Sequence, residues 1–305
     1  LIATNLDDEP GAPNRCEEPA LSGIKKFREK NQILSLINAR RYGAALELAK
    51  EPSSTMSEDT RYLLEYGFKR SKLELKAAKG VLIDKSKYDK AQRMVFHNIN
   101  GEAENIFEYF LVMQNNMLNR DYAELLTKIT PFMYELLKIH ILHNIGYDFL
   151  GNCCESSNNG AYRIIRSKVE AWNREVLAYL DKMFYPVFKD GSEVAFINMY
   201  HIISAPALAH CTSTNIKLVS LLSSENGLNA KKLNDLRNEV AHNIIMNVTE
   251  EKFIKKIGLQ PQKLIDILFE MLCIVFSYNY KSNLFKQSRL IYDELNERIK
   301  NSMDI

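Results

Sequence analysis

Three residues stand out for the chemistry that their types and spacing allow: Arg237, Asn238 and His242, in the segment Arg237-Asn-Glu-Val-Ala-His242. On a wheel of about 100° per residue, Leu233, Leu236, Val240 and Ile244 make an apolar stripe that must face a core. Asn238 and His242 point nearly the opposite way, and an Asn and a His at i and i+4 meet on a helix surface. Asn238 can therefore orient the His242 imidazole, whose ordinary pKa lies close to neutrality. Arg237 flanks the stripe and offers a planar cation suited to phosphate oxygens. This set fits cleavage of RNA by its own 2′-hydroxyl, which needs no metal when a histidine moves protons and a cation meets the charge of the developing phosphorane. DNA lacks that nucleophile. In this reading His242 is base or acid, Arg237 stabilises charge and Asn238 positions. Lys231 and Lys232, at the start of the same helix, contact the phosphate backbone.

The spacing carries a geometric difficulty. Residues five apart on a straight helix are turned about 140° from one another, so Arg237 and His242 of one chain do not naturally converge. A bend near Asn243 would bring them together. So would the same segment of a second subunit across a two-fold axis, and the homodimer is the favoured expectation. The pattern itself is weak evidence: with 14 arginines and six histidines in 305 residues, an Arg-x4-His match arises by chance in roughly one such chain in four. A solvated helix with a salt-bridging arginine is the plain alternative.

Other reactive side chains read more simply. His140 and His143 lie in an apolar helix without a third metal ligand nearby, which favours partly buried, hydrogen-bonded rings; His201 and His210 read the same way. His210-Cys211 has no orienting carboxylate. Tyr278, Tyr280, Lys281, Phe285, Lys286 and Arg289 interleave aromatic and basic groups, which helix packing explains as well as RNA contact does. Cys153 and Cys154 read as loop thiols. No metal site and no cofactor is expected.

The elements that must position these residues are helical. Glycine and proline number only 12 and 8, the hydrophobic content is 46%, and the length of 305 residues accommodates two domains. The formal charge of +2 supplies no global field for nucleic acid, so any RNA contact must be local. Five cysteines without a Cys-x-x-Cys pair fit a reducing cytosol, and no run is apolar enough for a membrane span. Residues 1–20 read as an acidic, irregular linker or the tail of a missing domain. Residues 21–100 read as short amphipathic helices, over 24–37, 42–50, 60–78 and 88–97. Residues 101–305 read as a helical bundle, with helices over 104–119, 122–145 kinked or restarted at Pro131, 165–184, 193–203, 230–246, 249–257, 262–278 and 284–303. The segment 218–223 is ambiguous, and Gly151 to Gly160 is the clearest loop.

Leu236-Arg237-Asn238-Glu-Val-Ala-His242-Asn243 resembles the Arg-x4-6-His signature of HEPN domains, in which a polar residue commonly follows the arginine. Glu108 to Gln114, Asn119 to Leu126, Thr130-Pro131 and Arg41-Tyr-Gly-Ala-Ala45 resemble the HEPN ribonucleases that accompany type III-A CRISPR systems. The resemblance implies an all-α chain, a helical connector domain followed by a HEPN bundle. It also implies a metal-independent endoribonuclease of antiviral defence that cuts single-stranded RNA as a homodimer. Such proteins usually carry an amino-terminal CARF domain that senses cyclic oligoadenylate; no alternating strands and helices are visible here, so that activator is expected to act through a domain missing from this chain. By the resemblance only Arg237 and His242 inherit a catalytic role, and Asn238 a supporting one. The alternative is a catalytically silent helical module for dimerisation or RNA binding.

Overall fold

A computed structural model of the chain describes residues 18–83, 99–157, 161–184, 188–223, 228–242 and 248–303. The expected helix over 88–97 lies outside them. The described chain is all-α apart from one small hairpin, and it divides into two compact units, Leu1–Asn98 with Ser288–Ile305, and Ile99–Gln287.

The first unit contains α1 (Glu18–Asn38), α2 (Tyr42–Lys50), α3 (Glu58–Ser71) and α4 (Leu75–Ile83), with the final helix of the chain, Ile291–Met303, packed among them. The α1–α2 turn is made by Arg40 at φ 53°, and its buried guanidinium donates to Asp293 at 3.1 Å and lies over the Tyr292 ring. The Tyr42 hydroxyl donates to Asn296 Oδ1 at 2.7 Å, and Asn296 Nδ2 donates to the Ile37 carbonyl at 2.9 Å. Gly67 allows this approach, since a Cβ there would lie 2.7 Å from the Tyr42 ring. The helix expected over 60–78 is two helices, because Leu73 takes φ 62° and the Glu74 amide turns back to the Lys69 carbonyl at 2.9 Å.

The second unit is built around α5 (Gly101–Leu118) and α6 (Tyr122–Ile139). Their facing rows include Phe107, Phe110, Leu111, Leu125, Leu126, Ile129, Met133 and Leu136, all buried. That spacing is the three- and four-residue period of a core-facing helix stripe. Pro131 does not restart α6, which runs through it as one helix. The next six residues, His140–Ile145, form a π-helical turn that Gly146 closes at φ 79°. The expected loop beginning at Gly151 instead holds α7 (Phe149–Cys153), capped by Asp148, and β1 (Cys154–Ser156), which pairs antiparallel with β2 (Tyr162–Ile164). Beyond these come α8 (Arg166–Trp172), α9 (Arg174–Met183), α10 (Phe196–Ser204), α11 (Pro206–Ala209), α12 (Ser213–Leu222), α13 (Ala230–His242), α14 (Glu250–Ile257), α15 (Pro261–Val275) and α16 (Ser282–Ser288); the final helix is α17. The ambiguous segment at 218–223 thus forms the end of α12, with Ser223 as its C-cap. Helix α15 rests on α5 through Phe269 and Phe110, with ring centroids 5.4 Å apart. No helix among the described residues is long and apolar enough to cross a membrane.

Candidate active site

Helix α13 carries the sequence-predicted residues, and its placement follows from its stripe. Asn229 caps it, Oδ1 accepting the Lys232 amide at 2.9 Å. Leu233, Leu236 and Val240 are buried, and the helix packs on α6, α10 and α14. Ile244, the fourth residue of the expected stripe, lies outside the described residues.

Arg237 is half-buried beside that stripe. Its Nη1 donates to Asn238 Oδ1 at 3.1 Å, and its buried Nε has no hydrogen-bond partner among the described residues. The fold thus brings Arg237 and Asn238 together, and the side chain expected to orient His242 accepts from the arginine. His242 is the last residue of α13; its side chain lies outside the described residues. Lys231 and Lys232 are exposed in the first turn. Lys231 precedes Asn238 by seven positions and shares nearly its azimuth, about 10 Å along the axis, whereas Lys232 is turned about 100° from Lys231.

One participant escaped the sequence reading. Glu239 divides its carboxylate between two lysines of α14, with Oε1 3.3 Å from Lys252 Nζ and Oε2 2.9 Å from Lys256 Nζ. Those pairs, Lys256 first, hold the carboxyl below the usual carboxylate range. The one available signal was the i, i+4 spacing of the lysines, which puts both on one face of α14. Helix α14 is itself fixed to α6: the Tyr122 hydroxyl donates to Glu250 at 3.1 Å, and its ring packs on Phe253.

The remaining candidates lie on other elements, and His143 and His210, expected to be partly buried, are exposed. His140 is fully buried, its Nε2 lies 2.9 Å from Asn215 Oδ1, and burial pushes the imidazole down to about 4 despite that bond. Asn215 Nδ2 in turn donates to the Ile203 and Leu208 carbonyls at 3.0 and 2.7 Å, so the histidine is part of a buried joint between the π-turn, α10 and α12. His143 is exposed and stacks on Tyr278, His201 sits against Phe184, Tyr179 and Tyr200, and His210 is exposed. Phe285 is core, and the Tyr280 hydroxyl donates to Asn100. Cys153 and Cys154 are buried rather than loop thiols, and burial raises both, Cys154 to about 12.

The family model described as the Cas_Csm6 HEPN domain matches residues 94–300, a span that includes all of α13. Among solved structures, Enterococcus italicus Csm6 bound to cyclic hexa-2′-fluoro-hexa-dAMP is similar, with a TM-score of 0.63 at 17% identity. The match covers 96% of this chain and 61% of that one, so the chain spans about three-fifths of the length of that protein. No curated protein gives a significant sequence match.

Proposed function

This chain belongs to the Csm6 HEPN family, and from that premise we propose that it is a metal-independent endoribonuclease of type III CRISPR defence, acting on single-stranded RNA in the cytosol. The observation that carries the reading is the coincidence of the family match with Arg237 and His242 on one packed helix, Arg237 lying half-buried with one guanidinium nitrogen unpartnered among the described residues. In the reaction, the ribose 2′-oxygen attacks the adjacent phosphorus and the bond from phosphorus to the 5′-oxygen breaks. His242 exchanges the proton that leaves the 2′-hydroxyl or the one that reaches the 5′-oxygen. Arg237 meets the charge on the non-bridging oxygens, and Asn238 holds the guanidinium. The products are a 2′,3′-cyclic phosphate and a 5′-hydroxyl. Lys231 and Lys232 hold the strand through its phosphates.

Because Arg237 and His242 lie about 140° apart around their helix, the complete site is assigned to a homodimer in which two copies of α13 face one cleft. Cyclic oligoadenylate, bound by a domain outside these 305 residues, is the proposed activator, supported by the ligand of the Enterococcus italicus protein. The test is cleavage of an unstructured RNA in excess EDTA by wild type and His242→Ala. The expected result is cleavage by wild type and a loss of at least about 100-fold in the variant. Equal rates in the two proteins overturn the assignment of His242, and no cleavage by either leaves a silent helical module.

A further inference from the structure

From the two ion pairs that join α13 to α14, we infer that Glu239 is a positioning residue of the ribonuclease, setting the carboxyl-terminal turn of α13 against α14. The inference rests on the function proposed above. Glu239 stands two residues after Arg237 and three before His242, so whatever fixes its side chain fixes the backbone between the two proposed catalytic groups. Its carboxylate is bound from both oxygens by Lys252 at 3.3 Å and Lys256 at 2.9 Å. The two lysines are one helical turn apart, and a single carboxylate spanning both opposes sliding and rotation of α13 relative to α14. A single exposed pair would not.

The rest of the arrangement fits a bracket. Helix α14 is held at its start by Thr249, whose side chain accepts the Lys252 amide, and by the bond from Tyr122 to Glu250. Helix α13 is held through Leu233, Leu236 and Val240, the last lying only two residues before the helix ends. Val240 is the last residue of α13 whose burial is described, and Glu239, one position before it, supplies a polar restraint between the two proposed catalytic groups. Half-exposed pairs of this kind contribute little to global stability, so their loss should leave the fold intact. A shift of a few tenths of an ångström in a catalytic group nonetheless lowers the rate, because positioning contributes directly to the barrier.

The experiment is steady-state cleavage of a fluorogenic single-stranded RNA by wild type, Glu239→Gln and the charge-swapped protein Glu239→Lys with Lys252→Glu and Lys256→Glu, each with its melting temperature. Glu239→Gln is expected to lose about three- to tenfold in kcat with KM within about twofold and an unchanged melting temperature, and the swapped protein to recover most of the kcat. A merely structural role would move the melting temperature, and a role in holding RNA would move KM. Either pattern overturns the inference, as does an unchanged kcat. Should Glu239→Gln not fold, Lys252→Met with Lys256→Met removes the same pairs from α14 and must show the same loss of kcat. Absence of cleavage by wild type overturns the ribonuclease reading and this purpose with it, whereas normal cleavage by wild type and Glu239→Gln alike overturns the inference alone.

Discussion

His140 keeps the hydrogen bond that its sequence reading expects and is buried more deeply than that reading has it. Its ring is fully enclosed, with one nitrogen bonded to Asn215 and the other, Nδ1, without a hydrogen-bond partner among the described residues. In the unfolded chain this imidazole takes a proton near pH 6.5, in the folded chain only near 4. Between those values the unfolded state binds more protons, so stability falls as pH drops from 6.5 towards 4 and levels off below. At about 1.4 kcal/mol per unit, lowering the pH from 7 to 5 should cost on the order of 2 kcal/mol through this group. Urea unfolding at both pH values measures it. Wild type should lose that much more than His140→Gln, and equal losses would mean that the site admits the charged ring. The motif residues differ in what the sequence disclosed. Helical periodicity located Arg237 on the flank of the core stripe and Asn238 on the face away from it, but their mutual bond was not legible, because periodicity places a side chain on a face without choosing among its neighbours.

At the scale of elements, hydrophobic period sufficed wherever a helix buries one face against others. Helix α2 was read with its observed limits, and α5, α10, α14 and α15 to within three residues at either end. The failures share a physical cause: helices stopped by residues that do not advertise a stop. Leu73 adopts positive φ without being glycine, and Asn173 breaks the expected 165–184 helix by capping α9 with bonds to the Glu175 and Val176 amides. The three-residue strands were invisible because each is too short for an alternating pattern, their pairing being set by contacts within the fold. The positioning of α13 also depends on non-local packing, and Leu236 is its most testable point, 2% exposed against α6 and its neighbours. Leu236→Ala removes three buried carbons and should destabilise the protein by about 2 to 5 kcal/mol. Denaturant titration checks this, and a change under about 1 kcal/mol would mean that the α13 face is not packed as described.

For the molecule as a whole, the near balance of 40 basic and 38 acidic side chains gives no long-range steering of RNA, so the proposed catalysis must draw on local geometry. That geometry is incomplete in one copy if α13 stays straight, because Arg237 and His242 face directions about 140° apart. A two-fold dimer cures this by letting Arg237 of one subunit work with His242 of the other, and such an interface must be self-complementary. The consequence is a complementation experiment. Arg237→Ala and His242→Ala proteins should each be nearly inactive, since every dimer of either lacks one kind of group altogether. Mixed and allowed to exchange, about half of the dimers would pair one chain of each kind and regain one arginine with one histidine across the interface. Cleavage should therefore reappear on mixing and fall again on dilution below the concentration at which a mass measurement shows dissociation. If the two groups instead act within a single chain, neither chain in the mixed dimer is complete and mixing restores nothing. Full activity in a solution of monomers would remove the composite site in the same way.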